Sequence, residues 1–199
     1  MNYNYEQWRN GYQSGDVVLC QGKGLISFLI RLITMGWSSH TGRLVWQYGR
    51  LYITHSTSLG KDSTGKKLDG VTSELFGAFV ARYKGKIKVR SWQGLGISEG
   101  RRRVVVRGKM MEYRDRKYER KILELLGAAM PWKNKETEAS KLSLFCSEYG
   151  CDIDKQLGAF AYPEEVISNE LTPADYEMGR KVEKLLANGV ALGPEIRIK

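Results

Sequence analysis

The chain has 199 residues and carries 32 Lys and Arg against 22 Asp and Glu, a formal charge of +10. With 42% hydrophobic and 27% charged residues it is too apolar to stay disordered, and it is long enough to bury a sizeable core in one domain. Its longest apolar stretch, Gly24 to Trp37, is too short to span a bilayer and is interrupted by Arg31. The aromatic residues Tyr3, Tyr5, Trp8 and Tyr12 are expected to cover an edge of the core, and Gly15-Asp16 turns into a strand at Val17-Val18-Leu19-Cys20. After a Gly-rich turn, Leu25, Ile26, Phe28, Leu29, Leu32 and Ile33 recur at spacings of three and four, which predicts an amphipathic helix ending at Gly36. A hairpin follows, with Ser38 to Trp46 and Leu51 to His55 as antiparallel strands around the turn Tyr48-Gly49-Arg50, so that His40 and His55 lie on neighbouring strands.

The loop Ser56 to Lys67 is polar, Gly70 to Phe76 predicts a short strand or turn, and Ile87 to Arg90 and Val104 to Val106 read as further strands. Together these make a sheet of five or six strands. Tyr118 to Met130 predicts a second helix closed by Pro131, and a third starts at Cys146 and runs to about Leu157. Thr172-Pro173-Ala174-Asp175 reads as a capped helix start, with Pro in the first turn and an acid favoured by the dipole, and this last helix is expected to reach about Ala187. The expected organisation is a single domain over residues 1–199, with its core from about 15 to 187 and residues 188–199 as a tail.

Ser143-Leu144-Phe145-Cys146-Ser147-Glu148-Tyr149-Gly150-Cys151 carries the most chemistry. A thiol at a helix start faces unpaired N–H groups and the positive end of the dipole, which lower its pKa and can also hold a developing oxyanion. It needs a base, and the chain has two histidines, His40 and His55. Cys146 as nucleophile, His40 as base and His55 as orienter make a thiol hydrolase. Taken singly, each of the three reads more simply as an ordinary strand histidine or a small buried hydrophobe. Glu148, Ser39 and Ser147 are candidates for lining the substrate cleft, and Cys151, further into the same helix, reads as packing.

Other constellations are weaker. Gly60 to Lys67 nearly spells a phosphate-binding loop, but Lys67 stands where Ser or Thr must bind magnesium, and Asp69-Gly70 breaks the helix that should follow. The basic clusters Lys84 to Arg90, Arg101 to Arg103, Arg107 to Lys109 and Arg114 to Lys121 interleave with Val and Ile at strand spacing, which puts them on the solvent face of a sheet, and no nucleic-acid reader motif accompanies them. His40, His55, Cys146 and Cys151 lack metal-ligand spacing, so neither a metal nor a cofactor is expected. The charge suits phosphates, anionic headgroups or an acidic envelope polymer. The odd set Cys20, Cys146 and Cys151 argues against structural disulfides. No basic n-region with an apolar core opens the chain, so no signal peptide is expected and the protein is cytoplasmic when made.

Gly15-Asp16-Val17-Val18, Lys23-Gly24-Leu25-Ile26, Ser39-His40-Thr41-Gly42, the strand ending at His55, Phe145-Cys146-Ser147-Glu148 and Leu171-Thr172-Pro173-Ala174-Asp175 occur in a telling order. The sequence in this resembles permuted NlpC-type papain-fold hydrolases, and most of all their YiiX-like branch. The resemblance implies an α+β, permuted papain-like fold with an antiparallel sheet packed against helices, in which the histidine precedes the cysteine. It implies Cys146 as nucleophile, His40 as base and the polar residue of the next strand, His55, as orienter, where members of the branch often carry Glu. Tyr149 stands where an aliphatic residue is usual. It also implies cleavage of the peptide stems of the bacterial cell wall, and with no export signal a phage tail or virion could carry such an enzyme. Relatives of the permuted fold act on lipids or acyl groups, which the apolar helix Leu25 to Ile33 would suit. A virion structural or adaptor protein that kept only the fold is the third reading.

Overall fold

The computed structural model describes residues 5–57, 69–118, 143–144 and 146–199. A short helix α1 (Tyr5–Trp8) leads to strand β1 (Val17–Gly22), helix α2 (Leu25–Thr34) and the hairpin β2 (His40–Gln47) and β3 (Arg50–Thr57). The hairpin pairs Gln47 with Arg50, leaving Tyr48 and Gly49 as a two-residue turn with φ of 49° and 71°. Positive φ at both positions is what a turn needs to follow the twist of the strands. Strand β4 (Gly70–Leu75), helix α3 (Phe76–Arg82), strand β5 (Gly85–Arg90) and the short β6 (Trp92–Gln93) come next. Helix α4 (Glu99–Glu112), strands β7 (Lys117–Tyr118) and β8 (Ser143–Leu144), helix α5 (Cys146–Gln156) and strands β9 (Ala191–Leu192) and β10 (Ile196–Arg197) complete the described elements. The fold is α+β: a six-stranded antiparallel sheet in the order β10-β5-β1-β2-β3-β4, with helices packed on it.

The alternation of the strands divides the core in two. Val17, Leu19 and Val45 face α4 and α5 and pack with Val105, Val106, Tyr149, Cys151 and Ile153. Val18, Cys20, Leu44, Ile53, Ile87 and Val89 face the other way and pack with Phe76, Phe79 and Val80 of α3. Strands buried on both faces read as near-continuous apolar runs, which is why Val17-Val18-Leu19-Cys20 carries no polar alternation.

Four expectations are corrected. Val104-Val105-Val106 is not a strand but the middle of α4, because Ser98 caps that helix by accepting the Arg101 N–H at 3.3 Å and because the buried residues Arg102, Val105, Val106 and Lys109 recur at helical spacing. The basic groups Arg101 to Arg103 and Arg107 to Lys109 therefore lie on a helix rather than on the solvent face of a sheet, and Arg102 and Lys109 are buried. The last helix does not run to Ala187: Thr172 N–H is capped by the Asp175 carboxylate at 2.7 Å as expected, but only 3-10 turns form at Pro173–Tyr176 and Lys181–Lys184. Buried Arg90 takes the Tyr176 carbonyl at 2.9 Å, a group a continuing helix would need, and Gly179 turns the chain at φ 75°. Residues 188–199 are not a loose tail, since β10 adds an edge strand to β5 and Ile198 is buried. Helix α3 has no counterpart among the expected elements. The expected helix Tyr118 to Met130 lies almost wholly outside the described residues, with Tyr118 itself in β7, and the near P-loop Gly60 to Lys67 lies outside them altogether.

Candidate active site

Helix α5 is fixed to the hairpin by buried polar groups. Arg43 of β2 donates to Asp154 of α5 through Nε at 2.9 Å and Nη2 at 2.5 Å, with neither side chain exposed. Arg43 Nη1 also donates to Thr41 Oγ1 at 3.1 Å and to the Gly42 carbonyl at 2.9 Å, and the Tyr176 ring lies 4.5 Å from the guanidinium carbon. This close fit requires Gly150, because a Cβ there would stand 2.7 Å from Arg43 Nη2. At the residue before Gly150, Tyr149 Oη and Thr54 Oγ1 share a hydrogen bond of 2.8 Å. Tyr149 thus anchors α5 to β3, and the cysteine at the helix start is held against the sheet.

Cys146 is 4% exposed, and the backbone N–H groups of Thr41, Ser147 and Cys146 itself face its sulfur and favour the thiolate. They do not prevail. Burial pushes the Cys146 pKa up to about 11, which corrects the expectation of a lowered value: the N–H cradle is present, but removing the sulfur from water outweighs it. The resting group is a neutral thiol. Thr41 is the residue after His40, so the same start of β2 presents a backbone donor to the sulfur and carries the imidazole.

The two histidines meet diagonally across the hairpin, where His40 Nε2 and His55 Nδ1 are 2.7 Å apart. Burial, and then the His55 charge, hold the His40 pKa well below 6.5, so its ring is neutral at pH 7. The far side of His55 shows a group that sequence reasoning missed. His55 Nε2 lies 3.4 Å from Glu74 Oε1 on β4, and Arg82 of α3 closes on the same carboxylate at 2.7 and 2.8 Å. Burial raises the Glu74 pKa, but hydrogen bonds from His55 and Arg82 outweigh it and leave the group below its usual range. An ionised Glu74 assigns the tautomers: Nε2–H of His55 points at Glu74, Nδ1 of His55 accepts from Nε2–H of His40, and the Nδ1 lone pair of His40 is left to take a proton. The Phe79 ring meets His55 edge-on at 5.4 Å and fixes its plane. The only sequence signal for Glu74 was an acid within a strand-forming run beside Phe76.

None of the three residues expected to line a cleft is fully exposed. Ser39 is buried and bridges β1 to the start of β2, with its Oγ donating to the Cys20 carbonyl at 3.4 Å and accepting the Gly22 N–H at 3.2 Å. Ser147 is buried and gives its N–H to the sulfur, and Glu148 is half-buried in the first turn of α5. Asp16, from the Gly15-Asp16 motif, accepts from Gln13 N–H, Ser91 Oγ and Trp92 N–H and so pins the start of β1 to the β5–β6 corner.

No protein-family model matches the sequence, and no curated protein matches it. Among solved structures, the chain is similar to the crystal structure of metalloprotein yiiX from Escherichia coli O157:H7, with a TM-score of 0.51 and 20% identity. The match covers 73% of this chain and 66% of that one, so the chain spans just under two thirds of that protein's length. At that identity the likeness is one of fold, and it supports a YiiX-like fold. Among the described residues, no three His, Cys, Asp or Glu side chains are grouped so that they could hold a metal ion.

Proposed function

We propose that the protein is a cysteine-dependent amide hydrolase of the permuted papain-like kind, with Cys146 as nucleophile, His40 as base and His55 as orienter. The observation that carries this reading is the line His40–His55–Glu74, a 2.7 Å hydrogen bond between the histidines followed by a 3.4 Å approach of His55 to the carboxylate, which starts one residue from the backbone N–H facing the Cys146 sulfur. In the reaction, the thiol proton passes to His40 Nδ1 as sulfur bonds to the carbonyl carbon. The N–H groups at the start of α5 and at Thr41 favour negative charge at that place. His40 then protonates the leaving amine as the C–N bond breaks, and water, deprotonated by the same ring, cleaves the thioester and restores the thiol. Glu74 acts through His55 as a positioning residue. Glu74→Gln is expected to lower kcat roughly tenfold with KM nearly unchanged. A purely structural role would appear instead as a lower melting temperature with kcat per folded molecule unaltered.

The first-choice substrate is the peptide stem of the bacterial cell wall, supported by the resemblance and by a charge of +10 suited to an anionic envelope polymer. A second reading, hydrolysis or transfer of a lipid acyl group, is favoured by one observation: α2, whose outer face is apolar and exposed, packs through Ser27 against Gly22 beside Tyr83, at the end of the strand that pairs with the start of β2. Digesting purified peptidoglycan and phospholipid vesicles in parallel separates the two. New amino groups from peptidoglycan are expected. Free fatty acid alone would transfer the assignment to the second reading, and no product from either would count against both.

A further inference from the structure

Helix α2 is amphipathic the wrong way round. Its inner side presents Ser27, Ile30, Arg31 and Thr34, of which Ile30 is the one buried apolar side chain. Ser27 Oγ occupies the space a Cβ on Gly22 would need, Arg31 Nε donates to the Ser27 carbonyl at 3.2 Å, and Thr34 Oγ1 donates to the Ile30 carbonyl at 2.9 Å. The outer side is a continuous stripe of Leu25, Phe28, Leu32 and Met35, which are 73%, 51%, 62% and 80% exposed, edged by Ile26 and Ile33. A single exposed leucine is ordinary, but six large apolar residues together on one helix mark a surface made to be covered.

Charge says what covers it. Helix α2 has no acidic side chain, and its one charge is Arg31. Lys23 is exposed just before the helix, while Lys86 pairs with Gln21 and Lys84 precedes Gly85, the partner of Gly22. These three lysines, all exposed, stand at the base of α2, and among the described residues none makes an ion pair. At the other end Arg180 Nη2 donates to the Met35 carbonyl at 2.5 Å. An apolar face rimmed by cations is the pattern of a helix lying in the plane of an anionic membrane, with side chains among the acyl chains and lysines at the phosphates.

We propose that the outer face of α2, with Lys23, Lys84 and Lys86, docks on an anionic phospholipid bilayer. Docked this way, the membrane lies against the helix whose inner side, through Ser27, packs on Gly22 beside Tyr83. The docking face is independent of the hydrolytic reading, since it needs no thiol. Flotation of the full chain with vesicles of phosphatidylglycerol and phosphatidylcholine, against vesicles of phosphatidylcholine alone, tests it. Tight binding to the anionic vesicles is expected, weakened at least tenfold by Leu32→Glu and by joint Lys23→Gln, Lys84→Gln and Lys86→Gln, and kept by Cys146→Ser. Circular dichroism checks that the variants fold, which substitutions at exposed positions permit. Equal flotation of all variants, or no flotation of the native chain, would overturn the proposal. So would a dimer that Leu32→Glu splits in the absence of vesicles, because the face would then belong to a second copy.

Discussion

Replacing Cys146 with Ala is expected to reduce amide hydrolysis by at least about a thousandfold, and His40→Ala by a comparable factor, with the double variant no worse than either, because nucleophile and base act as a unit. The pH dependence follows from burial. His40 works as a base only when neutral, and its pKa is held well below 6.5, so the acid limb of kcat/KM should fall well below pH 6.5. Cys146, pushed up to about 11, stays a thiol in the resting protein, so its alkylation by iodoacetamide should be slow at pH 7 and climb toward pH 11. An acid limb at or above 6.5, or a fast reaction at neutral pH that His40→Ala leaves unchanged, would remove the assigned roles. Cys20 and Cys151, both fully buried, should label last.

Asp154→Ala is expected to cost about 3–5 kcal/mol of stability, because it leaves the Arg43 guanidinium charged, buried and without its carboxylate. Against a typical total of roughly 5–15 kcal/mol for a domain, that places the variant near unfolding. Joint replacement, Arg43→Met with Asp154→Leu, should recover much of the loss, since two apolar side chains leave no uncompensated charge. Urea unfolding of the three chains checks the order. If Asp154→Ala unfolds at the native midpoint, Arg43 has another partner and the anchor of α5 lies elsewhere.

The sequence made the helices α2 and α5 and the hairpin legible because each has a clear period and marked ends: apolar residues at three and four, a cysteine at the change from apolar to polar, Tyr48-Gly49 at the turn. Cys146, His40 and His55 were legible as types, and the structure sets His40 against His55 and Thr41 N–H against the sulfur. Val104 to Val106 misled because three β-branched residues outweigh the Ser98 cap in local propensity, whereas burial on one side of α4 decides the outcome. Glu74 and Arg82 could not be read, since their meaning depends on β4 lying beside β3. The direction of the thiol pKa was hidden for a related reason. Dipole and N–H groups are visible at a helix start, but the depth of the sulfur depends on what the rest of the chain lays over it.

Strand β10 also closes a border. Without it, the outer ladder of β5 would be the unpaired edge of the sheet, ready to accept a strand from another molecule. The cover is short and ill-suited to extension: Pro194 precedes it, and Glu195, Arg197 and Lys199 put charge along it. Glu195 is held by Lys88 at 2.5 Å, and Lys199 donates to the carbonyls of Val80, Ala81 and Tyr83 at the end of α3. Residues that composition alone would discard therefore act as a guard against edge-to-edge aggregation of the sheet that bears His40.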